Sequence, residues 1–252
     1  MRASTVTIKS EQDIEKLRIS GRLAAQVLEM IGAYIKSGVS TEYLDDICND
    51  YIVNTLQVIP ANVGYHGFTK TTCISINDEV CHGIPSAHRI LKDGDILNID
   101  VAVIKDGYFG DTSRMYFVGE ANPAAKKLVE TTYEAMLAGI HAVKPGATLG
   151  DIGYAIQSVA QREGYSIVRE YCGHGIGRIY HEQPNILHYG QKGQGMVLKK
   201  GMVFTIEPGI YIEEEQMGVR IENNFWITRN GNKDLMKNIP ITVEEIEALM
   251  KK

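Results

Sequence analysis

The chain carries an internal repeat, and this feature constrains its fold more than any other. The stretch LKDGDILNID (91–100) aligns with LKKGMVFTIE (198–207), so that strand-forming residues coincide and Asp100 pairs with Glu207. A second pair of stretches, KSGVS and KPGAT, lies upstream of each at nearly the same offset. Two collinear matches indicate a chain built from two related halves. We predict one domain over 1–252, with halves at roughly 10–120 and 121–230.

Each half begins with two predicted helices. Serine, threonine or asparagine stands where each helix would start, which is the residue type that caps exposed backbone N–H groups. Ser10 is followed by Asp13 in a capping-box pattern, and a proline follows Asn122 at the first helical position. We predict helices from Ser10 towards Gly38, from Ser40 or Thr41 to at least Tyr51, from Asn122 to 144–146, and from Thr148 to about Gly164.

Strands follow each helix pair, and their alternation indicates which face holds a site. Alternate residues are apolar, while carboxylates and other polar groups share the opposite face. Helices followed by strands predict an α+β domain, whose helices cover one face of a curved, mainly antiparallel sheet and leave the other face free. The clearest predicted strands are 96–104, 202–207 and 220–227.

Composition excludes several classes of partner. The formal net charge of -5 argues against a nucleic-acid-binding surface, which needs clustered lysine and arginine. No apolar run is long enough to span a membrane, and the N-terminus lacks the apolar core of a secretory signal. The four cysteines form no C-x-x-C pair, so we expect free thiols and a cytoplasmic location.

Four carboxylates occupy related positions in the two halves. A turn at 105–107 lies midway between Asp100 and Asp111, so a two-residue hairpin loop would put both on one face. The repeat supplies Glu207 and Glu222 as their equivalents. Four close carboxylates repel one another unless cations neutralise them, and two divalent metals match their charge. From spacing alone, four separate exposed acids remain an equally good interpretation.

A glycine-rich stretch offers imidazole ligands to the same site. GHGIGRIYHEQP (173–184) contains His174 and His181, and its glycines allow close backbone approach. It lacks the spacing of a dinucleotide fingerprint and the second histidine of a zinc-protease helix. A lone histidine is more often a packing residue than a ligand. Carboxylates with one imidazole would suit Mn, Fe, Co or Zn.

The order of these residues resembles a known family. Asp100, Asp111, His174, Glu207 and Glu222 follow one another as in the type I methionine aminopeptidases, metallopeptidases of the pita-bread fold. The stretches CISINDEVCHGIP (73–85) and GHGIGRIYHEQPNILHY (173–189) strengthen the resemblance, which covers essentially the whole chain. It implies an enzyme that hydrolyses the N-terminal methionine from nascent polypeptides when the second residue is small.

The resemblance also implies roles for individual residues at a site with two divalent metals (Co, Mn, Fe or Zn). Asp111 and Glu222 would bridge both metals, Asp100 would hold one, and His174 with Glu207 the other. The free α-amino group of the substrate would bind on the Asp100 side.

The resemblance also implies which residues act in catalysis and in substrate binding. Glu207 would move the proton of the attacking water, His181 would stabilise the oxyanion, and His82 would contact the scissile amide. Both histidines would thus also bind substrate. The residues that match a methionine-side-chain pocket are Tyr65, Phe68, Cys73 and Tyr180.

One segment departs from the family. Many methionine aminopeptidases carry a longer excursion with a tryptophan between the positions of Glu207 and Glu222, whereas this segment is short and resembles the Xaa-Pro peptidases of the same fold. Two alternatives therefore stand beside the main prediction: a Xaa-Pro aminopeptidase or dipeptidase, and an inactive pita-bread binding protein.

As partners we expect nascent N-termini near the ribosome, no nucleic acid and no membrane, and we expect a monomer.

Overall fold

The four predicted helices form at their predicted starts. The structure, a computed structural model, describes residues 5–213 and 217–235. Each N-cap side chain accepts a hydrogen bond from the first turn, and Ser10 and Thr148, at equivalent places in the two halves, both form complete capping boxes. These bonds satisfy backbone donors that a helix start leaves unpaired. The helices are α1 (Glu11–Ile31), α2 (Thr41–Asp50), α3 (Pro123–Ala142) and α4 (Leu149–Arg162).

Twelve strands are formed in the described part of the chain, and every pairing between them is antiparallel. The first half contains β1 (Ile59–Pro60), β2 (Thr72–Ile76), β3 (Ile96–Lys105) and β4 (Tyr108–Phe117), with β3 pairing to the other three. The second half contains β5 (Ser166–Ile167), β6 (Gly173–Gly175), β7 (Glu182–Ile186), β8 (Val203–Ile206), β9 (Gly209–Ile212), β10 (Met217–Arg220), β11 (Asn223–Ile227) and β12 (Asn232–Asp234). These run in the orders β10-β9-β5 and β12-β11-β8-β6-β7.

Two apolar clusters hold the helices against the strands, one in each half. The first packs α1 and α2 on the odd positions of β3, from Leu97 to Val103, as the alternation predicted. The second packs α3 and α4 on Phe204 and Ile206 of β8 and on Phe225 of β11. Burial of these faces is the main stabilising term of such layers. The α+β prediction is confirmed, whereas the bounds of the two halves stay a prediction.

The hairpin between β3 and β4 has the two-residue loop that the sequence predicted. Asp106 and Gly107 both have positive φ, which matches the right-handed twist of the flanking strands. The register pairs Asp111 with Ala102, so Asp100 and Asp111 lie diagonally on one face. A loop one residue longer would have turned one of these aspartates away.

The predicted strand 220–227 is wrong as one continuous element. β10 ends at Arg220 and pairs with β9, while β11 begins at Asn223 and pairs with β8. At the break, Glu222 forms an isolated bridge with Ser113 of β4. The chain has to change partners here because this segment joins the two halves.

We call this contact between the halves the seam, and define it as β3 and β4 against residues 220–224. The carbonyl of Glu222 accepts from the Thr112 hydroxyl at 3.1 Å, and the Asn224 side chain donates to the Asp111 carbonyl. The polar face on which we expected a site lies at the seam, and its carboxylates Asp100, Asp111 and Glu222 are buried.

The helix ends differ slightly from the sequence pattern. α1 stops at Ile31 and continues as a tighter turn over Gly32–Tyr34, α2 passes into a π-helical turn over Tyr51–Thr55, and α3 ends at Ala142. Among the described residues, no helix combines the length and apolarity required to cross a bilayer.

Candidate active site

One cavity of about 770 Å³ opens at the seam, and residues of both halves line it. Every residue to which the sequence assigned a role lies on its wall, together with several that had none. The predicted residues are Tyr65, Phe68, Cys73, His82, Asp100, Asp111, His174, Tyr180, His181, Glu207 and Glu222. The fold therefore brings all of the predicted site residues to one cavity.

Three of these side chains form a compact group of potential metal ligands. One ligand atom from each of Asp111, His174 and Glu222 lies within 4.8 Å of the others, and all three residues are buried. His174 Nε2 is 3.5 Å from Asp111 Oδ2 and 3.6 Å from Glu207 Oε1. Four of the five predicted ligands thus surround one small volume.

Arg220 joins the fifth predicted ligand to the group. Its guanidinium donates to Asp100 Oδ2, and it donates to Glu207 Oε2 and Glu222 Oε2 at 2.9 Å each. Arg220 lies in the predicted strand 220–227, but the sequence pattern indicated no role for it. Its position two residues before a candidate ligand, on the same face of the predicted strand 220–227, was the available indication.

The carboxylates retain oxygens that no protein group satisfies. Asp100 Oδ1, Asp111 Oδ1 and Glu222 Oε1 are buried and have no hydrogen-bond partner. Removing a carboxylate oxygen from water without giving it a new partner costs on the order of several kcal/mol. A bound cation would offset that cost. Hard oxygen ligands with one imidazole suit divalent Mn, Fe, Co or Zn. The donor set therefore fits metal ions.

Burial and mutual repulsion shift the acidity of these groups. Burial, reinforced by the charges of Asp111 and Glu207, raises the pKa of Asp100 to about 7 despite Arg220. Burial and the charge of Asp111 likewise raise the pKa of Glu222. Burial acts in the same sense on Asp111, but the hydrogen bond and charge of His174 outweigh it and lower the pKa of that carboxyl. Protons thus compete with cations for part of this site.

Two glycines explain how His174 reaches the carboxylates. A Cβ on Gly173 would lie 2.5 Å from the Thr205 carbonyl oxygen, and one on Gly175 would lie 2.3 Å from that of Gln183. Only glycine lets β6 run so close to both neighbouring strands. His174 Nδ1 lies 3.0 Å from the Gly175 carbonyl oxygen, to which it donates, so Nε2 is left to face the carboxylates.

Two further histidines line the cavity and are neutral at physiological pH. Burial, with the neighbouring charge of His174, lowers the pKa of His181 to about 4, and its Nδ1 is 2.7 Å from the Tyr65 hydroxyl. Burial and Arg220 lower the pKa of His82. His82 has a φ of 59° and meets the Tyr171 ring edge-on. Residues with such backbone strain cluster at active sites, and this one lies on the cavity wall.

Aromatic rings close one end of the cavity. Tyr180 is buried, stacks on Phe109 at 5.1 Å and lies 4.9 Å from Tyr65. Its hydroxyl donates to Asn62 Oδ1 at 2.9 Å, a partner that the sequence did not reveal. Cys73 faces this space from β2, directly opposite Asp100 in the sheet register. The result is an apolar recess beside a polar cluster, as in many small-substrate sites.

Comparison with known proteins assigns the chain to a family. The model of metallopeptidase family M24 matches residues 15–229. A methionine aminopeptidase of Escherichia coli (strain K12) is 50% identical over 238 residues, which cover 94% of this chain and 89% of the relative. The methionine aminopeptidase of Haemophilus influenzae is 52% identical over 229 residues, covering 90% of this chain and 85% of the relative.

Solved structures agree with these sequence matches. A methionine aminopeptidase from Rickettsia prowazekii has a TM-score of 0.89 at 44% identity and covers 92% of this chain and 100% of its own. A prolidase from Pyrococcus horikoshii has a TM-score of 0.75 at 30% identity, covering 91% of this chain but 63% of its own. The chain belongs to metallopeptidase family M24 and, within it, to the methionine aminopeptidases.

Proposed function

We propose that this protein removes the N-terminal methionine from nascent polypeptides whose second residue is small, by metal-assisted hydrolysis. The proposal rests on the convergence of five candidate metal ligands on one cavity, in a chain that is 50% identical to a methionine aminopeptidase. These ligands are Asp100, Asp111, His174, Glu207 and Glu222. The Xaa-Pro alternative is not favoured, because those relatives match less closely and carry additional chain. An inactive binding protein is not favoured either, since all five candidate ligands are present.

The site would hold two divalent ions. Asp100, Asp111, His174, Glu207 and Glu222 would hold them. Support comes from the unpaired oxygens of Asp100, Asp111 and Glu222, and from four buried carboxylates that a single ion would leave undercompensated. Co, Mn, Fe and Zn all suit this donor set.

The protein groups around the reacting bond would divide the proton transfers among them. Bound divalent cations supply charge that polarises a carbonyl and makes water easier to deprotonate. Glu207 takes a proton from the attacking water and returns it to the departing amine. His181, neutral because its pKa is lowered to about 4, donates a hydrogen bond to the carbonyl oxygen as negative charge develops there.

Substrate position follows from the shape of the cavity. The methionine side chain would enter the part of the cavity lined by Tyr65, Phe68, Cys73 and Tyr180, which is polarizable at Cys73. His82, exposed at the mouth beside Tyr171, would contact the scissile amide and limit the size of the second residue. A free amino group would be required on the Asp100 side.

The proposed setting is the cytoplasm, close to the ribosome, where nascent N-termini first appear. All four cysteines are free, which is compatible with a reducing compartment. We further propose that the enzyme acts as a monomer, because one chain supplies every predicted site residue that lines the cavity.

A peptide panel on enzyme reconstituted with Mn²⁺ tests the proposal. We expect rapid release of methionine from Met-Ala-Ser, slower cleavage of Leu-Ala-Ser, and little from Met-Lys-Ser. Hydrolysis of Ala-Pro-Ser with none of Met-Ala-Ser would replace the proposal with the Xaa-Pro alternative. The matched control is Glu207→Gln, which keeps the side-chain shape but removes the base, so its turnover should nearly vanish.

A further inference from the structure

Arg220 is a buried arginine with an unusual set of neighbours. It ends β10, and only 4% of its surface is exposed. Among the cavity-lining residues in the described part of the chain, it is the one side chain with a permanent positive charge. Burying a guanidinium is costly unless anions pair with it in good geometry. The three carboxylates that it contacts meet that requirement.

The hydrogen bonds of Arg220 are divided among different carboxylates. They occupy Oδ2 of Asp100 and one oxygen of each of Glu207 and Glu222. The second oxygens of Asp100 and Glu222 remain unpaired, and the second oxygen of Glu207 accepts from the Thr205 hydroxyl at 2.6 Å. One guanidinium thus orients three carboxylates that come from both halves of the chain.

The backbone of Arg220 is itself held from both sides. Its carbonyl accepts from Asn98 Nδ2 at 2.7 Å, across the seam, and its strand position pairs with Gly209 of β9. The planar fork of arginine can then contact several acceptors at once, which a lysine ammonium on a flexible stem does less well. The position of the charge is therefore fixed by the fold.

We propose that Arg220 is a positioning residue of the metal centre. It supplies the counter-charge that keeps Asp100, Glu207 and Glu222 together when cations are removed, and it turns one oxygen of Asp100 and of Glu222 towards the cations. The inference rests on the proposed role of these carboxylates as metal ligands. Arg220 and the cations then share one task, the neutralisation of buried negative charge, so loss of Arg220 matters most when metal is absent.

Melting temperatures with and without metal test this division of work. Arg220→Gln should lower the Tm of the chelated protein by on the order of 10 °C, because it leaves a buried carboxylate cluster without its cation. Saturating Mn²⁺ should recover more than half of that loss, so the rise in Tm on adding Mn²⁺ is larger than in the wild-type protein. Arg220→Lys keeps the positive charge, so the Tm of its metal-free form should lie between those of the wild-type protein and Arg220→Gln.

Arg114→Gln is the matched control. Arg114 is buried to a similar degree (1% exposed), lies on β4 and stacks over the Tyr116 ring at 6.0 Å. Its replacement should lower the Tm equally with and without Mn²⁺. An equal loss in both states for Arg220→Gln would overturn the proposal. If Arg220→Gln does not fold even with Mn²⁺, Arg220→Lys decides by the same comparison.

A second measurement separates this inference from the proposed function. Calorimetric titration of Mn²⁺ into the metal-free Arg220→Lys variant should give the wild-type stoichiometry. The affinity should be at least threefold weaker, because a guanidinium no longer aligns the carboxylates. Unchanged affinity would contradict the positioning role. Neither assay uses a peptide, so a failed peptide panel with these results intact would refute the substrate assignment alone.

Discussion

Replacement of Tyr65 by phenylalanine tests whether this residue only lines the pocket or also orients a catalytic group. The Tyr65 hydroxyl lies 2.7 Å from His181 Nδ1, and the lowered pKa of His181 leaves its ring with a single proton. If the hydroxyl donates to Nδ1, the proton of the ring resides on Nε2, which becomes the donor to the substrate oxygen. Tyr65→Phe removes this constraint and keeps the aromatic wall.

The size of the effect follows from the hydrogen bond that is lost. Such a bond contributes about 0.5–1.5 kcal/mol, which corresponds to a loss of about 2- to 13-fold in kcat. KM should change less than twofold, because the phenylalanine ring keeps the contact with Tyr180, whose centroid is 4.9 Å away. Removal of the imidazole itself in His181→Ala should cost on the order of 100-fold.

Steady-state kinetics on Met-Ala-Ser with saturating Mn²⁺ provide the measurement. Adding Tyr65→Phe to His181→Ala should cause no further loss, because the hydroxyl acts through the ring that is already gone. Tyr43→Phe, at an exposed position on α2, is the control for the substitution itself. A raised KM with unchanged kcat, or full additivity in the double variant, would refute the orienting role.

Three further outcomes are expected. Chelation should abolish cleavage and Mn²⁺ should restore it; full activity in the chelated enzyme would contradict metal assistance. The raised pKa of Asp100 (about 7, against 3.8 unperturbed) means that the folded chelated protein holds a proton between about pH 4 and 7 that the unfolded chain has lost. This carboxyl therefore makes the chelated protein less stable as pH rises through that window. Mn²⁺ must displace the same proton, so its affinity measured calorimetrically should fall by up to about tenfold per unit below pH 7, whereas a flat profile would contradict the shift. Gly173→Ala brings a Cβ to 2.5 Å from the Thr205 carbonyl and should cost about 100-fold in activity by displacing His174, whereas Gly231→Ala, with open space around it, should be neutral.

Local chemistry explains why much of this fold could be predicted from the sequence. Helix starts depend on a cap and the turn that follows it, so Ser10 and Asn122 marked them correctly. The hairpin at Asp106-Gly107 depends on two residues with positive φ, and its register followed from the loop length. The alternation on β3 identified the face that packs on the helices, because side chains along a strand alternate between its two faces.

Contacts between distant segments explain what the sequence did not reveal. The break after Arg220 occurs because the chain changes strand partners, and no local pattern marks such a change. The contact of Arg220 with Asp100, and that of Asn62 with Tyr180, each join side chains more than a hundred residues apart. The family resemblance carried the assignment of individual ligands, because spacing alone could not separate a metal centre from four exposed acids.

The seam also has a kinetic consequence. Bonds such as Thr112 to the Glu222 carbonyl, and Asn98 to the Arg220 carbonyl, exist only after the two halves have docked. Because closing a chain segment of this length costs conformational entropy, we expect these bonds to form late in folding and the transition state to lack a finished binding site. An ion that binds only the finished site stabilises the native state without lowering the folding barrier. Metal occupancy should therefore lengthen the lifetime of the folded chain while leaving the speed at which it forms nearly unchanged.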